Sequence, residues 1–119
     1  MKIHIVNFGM GNIFSVQKKI QSKDISLSIS SDIHDILNAD KIILCGVGHF
    51  KKAMDNLIEL NLIDSLNDFA LIQKKPVLGI CLGMQLMANY SEEGNVNGLG
   101  WVDAKVKKFN TSESKKYKI

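Results

Sequence analysis

The sequence predicts an α/β domain built as a three-layer, mostly parallel sheet with helices on both faces. Two observations carry that expectation. Short β-branched runs that stop at glycine alternate along the chain with segments whose apolar residues recur at helical spacing. Strands that alternate with helices pair in parallel through right-handed crossovers. In addition, 119 residues with 45% hydrophobic content supply one core and are too few for two.

The first element, residues 2–8, is rich in Ile, Val and Phe and stops at Gly9, which predicts a buried strand. Ile13, Val16 and Ile20 then recur at helical spacing, with Asn12 ahead of them as an expected N-cap. Residues 25–29 alternate as a short strand, 32–37 read as a short helix, and 41–45 form another buried strand ending at Gly46. Phe50, Ala53, Met54, Leu57 and Ile58 trace one helical face; Leu62, Leu66, Phe69 and Ala70 trace a second. Pro76 opens the strand Val77-Leu78-Gly79-Ile80 before Cys81, and helical signal resumes over 83–88. Residues 91–98 read as a loop, 101–109 as a half-exposed strand, and the stretch from Thr111 is polar and completes no further element.

Composition excludes several function classes. The longest apolar stretches are a few residues, far short of the ~18 to 20 that a membrane span needs, and the start lacks a signal-peptide pattern. Cytoplasm is the expected location, with no membrane partner. Cys45 and Cys81 stand far apart in unlike contexts, which fits a reducing compartment and neither a disulfide framework nor a paired-cysteine metal site. The net charge of +3 rests on lysines alone, spread from Lys2 to Lys118. Without arginine forks to read guanine or clamp phosphate, a solvated lysine surface is the reading, and no nucleic-acid partner is expected.

The sharpest chemical signal is Pro76-Val77-Leu78-Gly79-Ile80-Cys81-Leu82-Gly83-Met84-Gln85. A strand runs into a cysteine with a glycine two residues away on each side, and a helix follows. That is the cysteine form of a nucleophile elbow, where a strained turn lifts the side chain above the sheet and small neighbours admit close backbone approach. A second signal, Cys45-Gly46-Val47-Gly48-His49, also lies at the carboxyl end of a strand, the edge where doubly wound sheets bind ligands. The two loops should therefore lie together. Glycines around Val47 let its N–H turn toward an oxyanion, and Leu82 offers a second donor directly after the thiol.

These residues resemble the class I glutamine amidotransferases, and within them the amidotransferase subunits of imidazole glycerol phosphate synthases. Asn7-Phe8-Gly9-Met10-Gly11-Asn12, Gly46-Val47-Gly48-His49-Phe50, the elbow, Ser91-Glu92-Glu93-Gly94 and Gly98-Leu99-Gly100 occur in the family's order over nearly the whole chain. The resemblance implies a glutaminase in which Cys81 attacks the side-chain amide of glutamine to form a thioester. Backbone groups of Val47 and Leu82 would hold the oxyanion, Gly46 and Gly48 would border the substrate, and Gln85 and Glu93 would recognise the glutamine head group. Asn12 would face a synthase or cyclase partner that receives the ammonia in a heterodimer. No cofactor and no metal is implied.

Two departures qualify the resemblance. Cys45 stands where the family usually has a proline before the first glycine, which removes a fixed φ from the loop. The family's catalytic histidine and its glutamate partner come from a later segment that nothing in 1–119 matches. The chain is therefore expected to be the amino-terminal part of a single amidotransferase domain, incomplete on its carboxyl-terminal side and inactive alone. Its own histidines are poor substitutes: His4 lies inside the first strand, His34 on a surface helix, and His49 beside the site at a position that varies in the family. Other readings stay open: a cysteine hydrolase of another substrate, a partner-binding module without catalysis, and a flavodoxin-like nucleotide binder, ranked last because the first glycine loop lacks a dinucleotide fingerprint. The ammonia acceptor also stays open between histidine biosynthesis and amidation of a surface-polysaccharide sugar.

Overall fold

In a computed structural model that describes residues 1–108, β1 (Lys2–Val6), β2 (Ser26–Ser30), β3 (Lys41–Gly46) and β4 (Val77–Cys81) form one sheet. Its order is β2-β1-β3-β4, and every pairing is parallel. The alternation along β3 explains why the strand is apolar throughout. Ile43 and Cys45 pack with Ile5 of β1 and Ile13 of α1 (Ile13–Ile20) on one face. Ile42 and Leu44 join the larger core on the other face, with Ile36 of α2 (Ile33–Asn38) and Phe50, Ala53 and Leu57 of α3 (Phe50–Glu59). Helices on both faces make three layers, as the element pattern predicts.

The expected second face, Leu62, Leu66 and Phe69, is buried in that larger core. Its backbone is less regular than the spacing predicts: α4 (Ile63–Asn67) passes into a π-helical turn over Asp68–Ile72. Ile58, assigned to the buried face of α3, is instead 59% exposed, because the core ends at Leu57. β1 ends at Val6, and Asn12 does not cap α1 through its side chain. It holds a left-handed backbone, φ 76°, that swings the chain from the glycine loop into the helix.

The carboxyl-terminal third departs most from expectation. The helix expected over 83–88 is one turn, α5 (Leu82–Gln85), after which Ala88 opens a strand. β5 (Ala88–Ser91), β6 (Val96–Asn97) and β7 (Val102–Val106) make a second sheet of order β6-β5-β7, so the expected 91–98 loop contains both the turn of an antiparallel pair and its second strand. Tertiary pairing overrides the local helical signal there. Phe109 and the polar stretch from Thr111 lie outside the described residues. Among the described residues, no helix is long and apolar enough to cross a membrane.

His4 is 1% exposed, and both ring nitrogens are engaged: Ser28 Oγ at 2.8 Å from Nδ1 and the Ser30 carbonyl at 3.2 Å from Nε2. A carbonyl only accepts, so Nε2 carries the proton and Nδ1 accepts from Ser28. Burial pulls the His4 pKa below its ordinary value, partly opposed by Asp35.

Candidate active site

β3 and β4 end side by side, with Gly46 paired to Cys81 and Cys45 to Ile80. Parallel pairing thus brings the two sequence-predicted loops to one point on the carboxyl edge of the sheet. Cys81, the last residue of β4 and directly before α5, is exposed and adopts φ 54°, ψ −117°. A non-glycine residue held there stores on the order of 1–3 kcal/mol of strain, which surrounding contacts must hold in place.

The flanking glycines supply those contacts. A Cβ on Gly83 would sit 1.9 Å from the Leu44 carbonyl oxygen, so the first turn of α5 lies directly against β3. One on Gly79 would sit 2.7 Å from Met84 Cα, so strand and helix also close tightly on each other. Spacing of two on either side of Cys81 is therefore a packing requirement of the elbow's own backbone.

On the neighbouring strand, Val47 is 47% exposed and forms an isolated antiparallel bridge with Gly11. Met10 lies over both glycines of the 46–48 loop: added Cβ atoms would meet Met10 Cβ at 2.9 Å from Gly46 and Met10 Cε at 2.3 Å from Gly48. Asn56 of α3 fixes this arrangement from behind, donating from Nδ2 to the Phe8 carbonyl at 2.9 Å and touching Met10 Sδ at 3.6 Å. Sequence reasoning missed Met10 and Asn56. Neither carries a local signal, because the contact spans two elements far apart in the chain.

The remaining sequence-predicted residues fall into two groups. Asn12, Val16, Cys45, Gly46, Val47 and Cys81 border one cavity of about 120 Å³ between α1 and the ends of β3 and β4. Leu82 is buried directly after the thiol, and Gln85 is half-buried at the end of α5. Glu93 is held at the start of α3: its carboxylate accepts the Phe50 N–H at 2.5 Å, where a negative charge is favoured. Buried Ser91 holds that turn by accepting the Glu93 N–H at 3.0 Å.

Each histidine is accounted for. His49 caps α3, its Nδ1 accepting the Lys51 N–H at 3.2 Å; His34 is exposed on α2; His4 is buried between β1 and β2. Cys45 is 2% exposed, and burial pushes its thiol pKa up. Among the described residues, no group of three or more His, Cys, Asp or Glu could hold a metal ion.

A sequence profile of the family described as glutamine amidotransferase class-I matches residues 4–118. The chain belongs to that family. Among curated relatives, the imidazole glycerol phosphate synthase subunit HisH 2 of Methanococcus maripaludis is 47% identical over 98% of this chain and 57% of its own length. The HisH subunit of Leptospira interrogans is 40% identical over 94% of this chain and 55% of its own, and that of Pelagibacter ubique 38% over 97% and 58%. The chain thus spans about half the length of the curated relatives it matches. A solved structure of a putative peptidase E from Listeria monocytogenes superposes with a TM-score of 0.66 at 14% identity, over 86% of this chain and 63% of that one. That likeness supports the fold alone.

Proposed function

We propose that this chain is the nucleophile-bearing, amino-terminal part of a single glutaminase domain that supplies ammonia to a synthase partner forming imidazole glycerol phosphate. The observation that carries the reading is the exposed, strained Cys81 beside Gly46 at the carboxyl edge, in a chain of this family. Cys81 Sγ attacks the side-chain amide carbon of glutamine, and the carbonyl electrons move onto oxygen. Backbone N–H groups of Val47 and Leu82 would stabilise that oxyanion, with Gly46 and Gly48 bordering the substrate and Gln85 and Glu93 near its head group. Collapse releases ammonia and leaves a glutamyl thioester, which water then hydrolyses.

Both later steps need a positioned acid-base group, whose loss typically costs about 10² to 10⁴ in rate. His49 serves as a cap and His4 is buried, so neither supplies it. Residues 1–119 alone should therefore turn over glutamine poorly. The partner reading rests on the names of the relatives and on the 9–12 loop, which bears Asn12 and bridges to Val47. A partner seated on that loop would bear on the 46–48 turn, whose glycines permit more than one backbone orientation. Amidation of a surface sugar is the second reading, and it rests on the motif resemblance alone.

The test is a steady-state glutaminase assay on the chain extended to the length of its relatives, with and without a cyclase partner. Cys81→Ala should reduce glutamate release to background while leaving the partner's use of free ammonia intact. Normal release by the alanine variant would refute the nucleophile; binding to a sugar amidotransferase in place of the cyclase would select the second acceptor.

A further inference from the structure

Both cysteines of the chain border the same small cavity, although only one of them has a place in the proposed chemistry. The register makes them diagonal neighbours, since Cys45 pairs with Ile80 and Gly46 with Cys81. With adjacent strands ~4.8 Å apart and a rise of ~3.3 Å per residue, a one-residue diagonal sets the Cα atoms about 6 Å apart, inside the span a disulfide bridges. In a regular pleat two such side chains would leave on opposite faces. Cys81 is not in a regular pleat. Its φ of 54° and ψ of −117° take it out of strand alternation, and it shares the α1-side cavity with Cys45.

We propose that Cys45 and Cys81 are a redox pair that closes an intramolecular disulfide when the chain meets a hydroperoxide. Exposure orders the steps. Cys81 is exposed and meets the oxidant, whereas Cys45 is 2% exposed and held as the thiol by burial. Cys81 Sγ attacks one peroxide oxygen; the O–O bond breaks, giving a sulfenic acid at Cys81 and releasing an alcohol or water. Cys45 Sγ then loses its proton and attacks Cys81 Sγ; the S–O bond breaks, and the departing hydroxide takes up that proton as water. Two thiols lose two electrons in total, and one peroxide gains them. The consequence for activity rests on the proposed function: the disulfide would withdraw the nucleophile and spare it from irreversible over-oxidation.

The 119-residue chain itself is the reagent. After treatment with a few equivalents of hydrogen peroxide, intact mass should show a monomer lighter by two hydrogens. Peptide mapping should join the Cys45 and Cys81 peptides, and dithiothreitol should restore two alkylatable thiols. In Cys45→Ser, the same treatment should leave Cys81 as sulfenic acid, trapped by dimedone, and carry it on to the sulfinic acid. Oxygen adducts on Cys81 of the unsubstituted chain with Cys45 still alkylatable, or a dimer joined through Cys81 of two copies, would overturn the pair. The mapping needs no variant, so a folding defect in Cys45→Ser leaves it decisive. It also reads thiol chemistry alone, so its failure is separate from a failure of the glutaminase assay.

Discussion

β3 and β4 run side by side and end at the two loops of the site, yet one is sealed and the other open. Ile42, Ile43, Leu44 and Cys45 of β3 are all buried, because helices cover both faces and strands flank both edges. β4 is the outer strand of the four, and there Leu78 is 56% and Ile80 36% exposed. The runs Ile-Ile-Leu-Cys and Val-Leu-Gly-Ile do not announce this difference. Apolarity states what a strand is suited to bury, while its place in the sheet decides what it does bury. The 46–48 loop is consequently braced by Met10, Gly11 and Asn56, whereas the Cys81 side leans on β3 through one short turn.

Matched truncations should separate the two strands most. Leu44→Ala, at a fully buried position, should lower the unfolding free energy by about 2–5 kcal/mol through the cavity it leaves. Leu78→Ala should stay within about 0.5 kcal/mol of the parent. Urea midpoints report both, and equal losses would mean that β4 is covered in solution.

The brace between the strands is tested by Gly83→Ala. Its new methyl meets backbone of β3 that cannot step aside, so a loss of about 1–3 kcal/mol or more is expected. Gly11→Ala is the control: the nearest atom to its Cβ would be Val47 Cγ2 at 3.8 Å, and the change should be neutral to slightly stabilising. Similar thermal shifts for the two variants would remove the elbow's claimed dependence on close approach.

The smallest effect belongs to the other side of the sheet. Because burial lowers the His4 pKa from 6.5, the unfolded chain takes up this proton before the folded one does. Stability from His4 is therefore present above 6.5 and is lost as pH falls through the depressed folded value. Urea midpoints measured from about pH 8 down to about pH 5 should decline less steeply in His4→Asn than in the parent. An unchanged slope would mean that His4 takes up its proton equally readily in the folded and unfolded chains.

Much of the site was legible because its signals are local. The glycines on either side of Cys81, the glycine pair around Val47 and the strand ahead of each predicted an elbow and a loop at one sheet edge, and Gly46 does pair with Cys81. Glu93 was singled out by sequence, but its bond to the Phe50 N–H crosses 43 positions and follows from no local pattern. Residues 83–88 misled for the same reason: the helical spacing is real, yet Ala88 and Tyr90 find partners in β7 and β6 that the spacing cannot reveal.

By itself the sequence determined the α/β class, the alternation of strand and helix, and which residues could carry thiol chemistry. Periodicity, glycine placement and chain stiffness act over a few residues. Only the tertiary structure decided that β4 lies at the edge, that a second sheet follows α5, that Met10 covers the 46–48 loop, and that Cys45 shares a cavity with Cys81. Those outcomes depend on which strand ends become neighbours, and loop closure between distant segments is settled by the packing of the whole core.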